Sequence, residues 1–193
     1  MIVSRPEFFM RKAKFLRDIK DGAVFIYPTD TVYGIGCDAT NEKAVKRVRE
    51  LKGRKVYPLS IIAPSKAWVL EHCVARPEDL ERLPGPYTLI FQAKNHAVAQ
   101  SVQMGRDTLG IRIPSHWISD VAEQLGRPLV TTSANITGGN VMQRLEDLPT
   151  ELRHVDFIIY EGEHRGTQST RIDLTGGSAP LVHQLKRLFF VRR

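Results

Sequence analysis

Apolar positions along the chain recur with two periods, and each predicts its own kind of element. Between residues 7 and 20, Phe8, Phe9, Phe15, Leu16 and Ile19 form one stripe among lysines and arginines. That spacing predicts an amphipathic helix, closed by Asp21-Gly22. A second helix is expected over 41–52, with Asn41 as N-cap and Gly53 just past its end. Ser65 caps a third over 66–73, Pro77 opens a short helical turn ending near Leu83, and a further helix falls near 116–125. Short apolar, partly β-branched runs lie between them and predict buried strands at 23–27, 58–63, 108–113, 128–132, 155–160, 169–175 and 180–185. A rigid Pro-Gly-Pro turn feeds one more strand within 83–91. Helices and strands interleave without a clean βαβ alternation. This predicts an α/β chain of the α+β type with a mixed sheet that includes antiparallel strands.

Composition narrows the class of protein. Hydrophobic residues make up 42% of the 193 positions and charged residues 25%, ordinary values for a globular protein able to bury a core without disulfides or metal. No internal repeat or low-complexity linker divides the chain, so 1–193 reads as one domain. No apolar run approaches a membrane span, and the N-terminal segment alternates apolar and basic residues, unlike a secretory signal. Cys37 and Cys73 are solitary and show no zinc spacing. A cytoplasmic location without membrane contact is therefore expected. Lysine and arginine total 28 against 21 acidic residues, a formal charge of +7. That excess suits nucleotides or nucleic acid, although a merely basic surface would give the same number, and some of it sits at the chain ends.

Four segments could carry chemistry. In Tyr27-Pro-Thr-Asp-Thr-Val-Tyr-Gly-Ile-Gly36 a strand ends in hydroxyls, a carboxylate, a phenol and two glycines. Thr29, Thr31 and Tyr33 would share one side if the backbone stays extended, and Gly34 and Gly36 would admit a ligand close to the backbone. The alternative is a polar turn closed on itself. Lys52, Arg54 and Lys55 follow a helix and precede a strand, a setting that suits a polyphosphate, a helix C-terminal dipole or plain solvent. Arg112 ends the apolar strand that starts at Thr108 and needs a partner, either a ligand anion or an internal carboxylate. Ser133 and Asn135 follow another strand, where ligands are favoured and ordinary Ser/Asn turns are common. No activated nucleophile is present: there is no G-x-S-x-G, no H-E-x-x-H and no Cys–His pair, and the six histidines lie in unrelated contexts.

Taken in order, PTDTVYGIGCDA, Lys52-x-Arg54, PLS, PGPYT at 84–88, Thr108 with Arg112, TSAN at 132–135 and Ser169-Thr170 resemble the YrdC/TsaC family of threonylcarbamoyl-adenylate synthases. The resemblance runs from about residue 23 to 175. It implies a twisted, mostly antiparallel mixed sheet with flanking helices around a basic concave cavity. It implies ATP, L-threonine and bicarbonate as substrates, with magnesium accompanying the nucleotide; contact with tRNA or double-stranded RNA stays open from the basic charge alone. It also implies a downstream threonylcarbamoyl-transferase of the TsaD type. Carried over by position, Lys52, Arg54, Lys55, Tyr57, Thr108, Ser133 and Asn135 meet ATP, with Lys52 and Arg54 serving turnover. Thr31, Tyr33, Arg112, Thr131 and Ser169 hold threonine, Arg112 by its carboxylate. The pattern also departs from the family. One residue fewer separates Arg54 from Pro58, Tyr57 replaces a polar ATP contact, and Val141 and Gln184 stand where a serine and an arginine are usual. A YciO-like paralogue with another acceptor and a non-catalytic RNA-binding module stay as alternatives.

Overall fold

The computed structural model describes residues 1–53 and 56–176. In chain order these form β1 (Ile2–Ser4), α1 (Arg5–Met10), α2 (Lys12–Lys20), β2 (Phe25–Tyr27), β3 (Gly34–Gly36), α3 (Glu42–Leu51), β4 (Ser60–Ile62) and α4 (Lys66–His72). There follow β5 (Tyr87–Gln92), α5 (Gln100–Gln103), β6 (Thr108–Arg112), α6 (Ile118–Leu125), β7 (Leu129–Ser133), β8 (Phe157–Tyr160) and β9 (Thr170–Asp173). The turn from Pro77 is a 3-10 helix over Pro77–Leu80. The strand expected over 180–185 lies outside the described residues.

Local chemistry sets the helix ends. Asn41 accepts from the Ala44 N–H and Ser65 from the Trp68 N–H, so α3 and α4 start where their caps were read. The single helix expected over 7–20 is instead two. Ser4 and Glu7 form a reciprocal capping box at the first, and Arg11 breaks the run. In one straight helix, residues seven apart would stand roughly 10 Å apart along the axis. The break lets the Phe8 and Phe15 rings stack at 5.2 Å, with Phe8 also 5.4 Å from Trp117.

The strands join in the order β1-β8-β2-β3-β7-β4-β6-β5-β9. The central run β2-β3-β7-β4 and the pair β5-β6 are antiparallel, while β1-β8, β8-β2, β4-β6 and β5-β9 are parallel. This is the mixed α/β sheet with flanking helices that the interleaved pattern predicts. β3 is not among the strands the apolar pattern predicts, and Gly-Ile-Gly has little strand propensity of its own. It is a strand because β2 and β7 pair with it on both sides.

Alternation along the strands divides the core in two. Ile26, Ile35, Ile61, Ile111 and Val130 face the cluster that includes Val45 and Val48 of α3 and Val69 of α4. Their neighbours Phe25, Tyr27, Ile62, Leu129 and Phe157 face Phe8, Phe15, Ile19, Ile118 and Val121 of α1, α2 and α6. This second face changes character along its strands. In β7 the residues sharing it run Leu129, Thr131, Ser133, and in β4 they run Ile62, Ser60, with Leu129 opposite Ile62 and Thr131 opposite Ser60. Helices cover the apolar end, and the hydroxyl end is left to floor a cavity.

Candidate active site

That cavity measures about 200 Å³. Ser60, Thr88, Thr131 and Thr132 come from the strands, Lys52 from the end of α3, and Ser133, Asn135, Thr137 and Gly138 from β7 and its following loop. Val32, Arg112, Gln168, Ser169 and Arg171 complete the lining. Among the described residues three cations, Lys52, Arg112 and Arg171, and no carboxylate, imidazole or thiol line this space.

Lys52 is 1% exposed. Its ammonium donates to the carbonyls of Ser133 and Asn135, the latter at 2.7 Å, and to Asn135 Oδ1 at 3.2 Å. Its own carbonyl accepts from Thr137 N at 3.1 Å and Thr137 Oγ1 at 3.0 Å. The loop is cross-braced as well: Ser133 Oγ donates to Asn135 Oδ1 at 2.6 Å, and Asn135 Nδ2 to the Gly139 carbonyl at 2.6 Å. One residue thus caps α3 and fastens the loop after β7. Lys52 also lines the cavity, where sequence places it against ATP.

Arg112 is 6% exposed. Its Nη2 donates to Asp30 Oδ1 at 2.7 Å and to Thr31 Oγ1 at 3.0 Å, while its buried Nε has no hydrogen-bond partner among the described residues. Burial pulls the guanidinium pKa down, and Asp30 opposes that pull. The internal carboxylate left open as a partner from sequence is therefore Asp30, whose Oδ2 also accepts the Ser115 N–H at 2.9 Å.

The segment before β3 is not extended. Thr29 Oγ1 accepts from the Thr31 and Val32 N–H groups at 3.1 and 3.2 Å and donates to the Val32 carbonyl at 2.7 Å, so the polar turn is the arrangement found. Thr31 and Tyr33 consequently part company. Thr31 stays with Arg112, but the Tyr33 hydroxyl donates to the Gly162 carbonyl at 2.7 Å and accepts the Glu161 N–H at 3.0 Å. Burial pushes the Tyr33 phenol up to about 12. Gly36 serves the protein's own backbone rather than a ligand: a Cβ there would lie 1.8 Å from the Val130 carbonyl oxygen. Gly166 does the same at the cavity edge, where a Cβ would meet the Thr31 carbonyl at 1.4 Å, so the 161–169 segment lies directly on the turn.

Of the residues singled out from sequence, Lys52, Arg112, Thr131, Ser133, Asn135 and Ser169 meet at the cavity, and Thr31 stands one hydrogen bond behind Arg112. Ser169 Oγ and Thr88 Oγ1 share a hydrogen bond of 2.7 Å. Tyr33 and Val141 are not in the lining. Thr108 begins the strand that Arg112 ends, on the same face by alternation but outside the lining. Tyr57 is 58% exposed, with its carbonyl held by Arg49 Nη2 at 3.0 Å. Arg54, Lys55 and Gln184 lie outside the described residues. Sequence reasoning missed Asp30, Ser60, Thr88, Gln168 and Arg171. A signal existed for two of them: Asp30 sits inside the first motif, and Arg171 follows Ser169 by the two-residue period of a strand. Burial pushes the Cys73 thiol up to about 11 and raises that of Cys37 as well, leaving both far from a reactive thiolate. No described helix is long and apolar enough to cross a membrane.

Fold and cavity together define an α/β protein with a small cavity lined by hydroxyls and cations. The model of the Sua5/YciO/YrdC family, described as telomere recombination, matches residues 17–184, and the chain belongs to that family. It is 39% identical over 173 residues to the threonylcarbamoyl-AMP synthase of Pyrococcus abyssi, covering 81% of this chain and 48% of that one. It is 32% identical over 176 residues to the threonylcarbamoyl-AMP synthase of Buchnera aphidicola, covering 86% and 91%. The structure of P. abyssi Sua5 complexed with L-threonine superposes with a TM-score of 0.77 at 32% identity, over 90% of this chain and 54% of that one. The chain spans about half the length of the Pyrococcus abyssi, Bos taurus and Mus musculus relatives it matches.

Proposed function

We propose that the protein is an L-threonylcarbamoyladenylate synthase, using L-threonine, bicarbonate or CO2, and ATP. One observation carries this most: a buried arginine whose Nε has no partner among the described residues, beside a small hydroxyl-floored cavity that no described carboxylate lines. An unmet buried donor costs about 1–3 kcal/mol, which an incoming carboxylate would relieve. The relatives named threonylcarbamoyl-AMP synthase support the same reading.

In this reading Arg112, with Thr31, Thr131 and Ser169, holds the threonine carboxylate and side chain. The amine adds to CO2 and loses a proton, giving a carbamate. A carbamate oxygen then forms a bond to the α-phosphorus of ATP as the bond to the β-phosphate oxygen breaks, releasing pyrophosphate. Neither step requires a protein nucleophile. Holding two anions in register can remove roughly 7–11 kcal/mol of barrier, and fixed cations stabilise charge on the phosphates. A cavity of about 200 Å³ is small beside the ~300–1,000 Å³ common for larger ligands. It suits the amino acid, with the nucleotide extending over the Ser133–Asn135 loop; Arg54, Lys55, Tyr57 and Thr108 are its further contacts by family position.

Among the described residues no group of three or more His, Cys, Asp or Glu side chains could hold a metal. The cavity thus does not fit a protein-held ion, and magnesium would travel with the nucleotide phosphates. The reading takes 1–193 as one cytoplasmic domain whose labile product passes to a TsaD-type transferase acting on tRNA. The deciding experiment measures pyrophosphate release from ATP with threonine and bicarbonate omitted in turn. Dependence on both is expected. Release without threonine would point to a YciO-like paralogue with another acceptor. No release, with tight, salt-sensitive binding of double-stranded RNA, would replace the synthase by an RNA-binding module.

A further inference from the structure

Asp30 stands behind the cavity rather than in it. Its side chain is 10% exposed and that of Arg112 is 8% exposed, so the pair is almost wholly removed from water. The carboxylate is used at both ends. Oδ1 accepts from Arg112 Nη2, and Oδ2 accepts from the backbone N–H of Ser115, three residues beyond Arg112 in the chain. Nη2 carries two hydrogens, and Asp30 and Thr31 accept from it at 2.7 and 3.0 Å. That nitrogen is therefore committed to the protein, whereas Nε has no partner among the described residues.

An arginine at a strand end has a long, rotatable stem, and a ligand that must order it loses affinity. Here the ordering is done beforehand. Removing the carboxylate would free the guanidinium to turn and leave its charge buried without a counter-ion, the costly arrangement for an ion pair. Thr31 supplies a hydroxyl but no charge, so it cannot replace Asp30.

We propose that Asp30 is a positioning residue for the amino-acid substrate: by holding Nη2 of Arg112 and the Ser115 backbone together, it presents the rest of the guanidinium to the substrate carboxylate. The proposal rests on the assignment of Arg112 to threonine made above. Asp30 touches no substrate atom in this scheme and acts through Arg112.

The test is calorimetric titration of the full chain with L-threonine and with L-threoninamide, which lacks the carboxylate charge. It compares the wild type with Asp30→Asn, a substitution that keeps volume and one acceptor oxygen. Threonine affinity is expected to fall about tenfold or more, the scale of one hydrogen bond to a charged group, while threoninamide affinity changes less than about twofold. A merely structural role would weaken both ligands in step. Equal losses, or unchanged threonine affinity, overturn the proposal while leaving Arg112 and the synthase reading intact. Absence of threonine binding by the wild type overturns that reading, and the proposal with it. Should Asp30→Asn not fold by circular dichroism, Asp30→Ser carries the same comparison.

Discussion

Lys52 and Arg112 reach one cavity from different elements, the end of α3 and the end of β6, and are almost equally hidden at 1% and 6% exposure. Lys52 donates to neutral acceptors among the described residues, the carbonyls of Ser133 and Asn135 and the Asn135 amide oxygen. Its charge reaches the cavity as a field, while its hydrogens hold a loop. Arg112 is matched by a full charge on Asp30 and keeps one buried donor without a partner among the described residues. Burial alone thus does not tell how two cations at one cavity are used by the protein around them. The accounting of donors does, because a donor already satisfied has nothing left for a substrate.

The comparison breaks most visibly at Arg112. Arg112→Ala strands the Asp30 carboxylate, and losing one partner of a buried pair typically costs about 3–5 kcal/mol. Urea denaturation should record that loss. Any fraction that folds should bind threonine at least about tenfold more weakly by calorimetry, as expected for a missing charge-assisted bond. Lys52→Met comes next. It removes the ammonium from carbonyls that stay buried, for an expected loss of about 2–3 kcal/mol. Amide hydrogen exchange should quicken across 133–139, and affinity for nucleotide and threonine should drop together, because the loop serves both. Reduced turnover with unchanged exchange in that loop would return Lys52 to a direct role in chemistry and erase the contrast.

How much of this was legible beforehand depends on the distance between partners in the chain. Asn41 and Ser65 announced their helices because a cap bonds three residues ahead. The faces of β4 and β7 were implied by a period of two. Arg112 could be flagged as a charge needing a partner, but Asp30 lies 82 positions away and nothing local points to it. The Lys52 clasp spans 81 and 83 positions and was equally hidden. Gly36 was misread for a different reason. Close approach demands glycine whether the neighbour is a ligand or the Val130 carbonyl, and sequence cannot say which. The break at Arg11 is set by what Phe8 and Phe15 pack against, and the helical stripe contains no trace of it.

Tyr33 offers the mildest and most specific test, since it shares a motif with Thr31 yet belongs to the structural side of the contrast. Its hydroxyl is taken up by Glu161 and Gly162, and its ring stacks on Tyr160 at 5.8 Å. Tyr33→Phe keeps the ring and removes both hydrogen bonds. Because the groups left behind belong to one half-buried backbone segment, the expected cost is about 1 kcal/mol, seen as a lowered melting temperature. Threonine affinity should stay within about twofold, since no bond to Arg112 or to the cavity floor is altered. A tenfold loss of threonine affinity at unchanged stability would mean that the phenol turns towards the substrate on binding. Donor accounting in the ligand-free molecule would then be too static a guide, for Lys52 as much as for Tyr33.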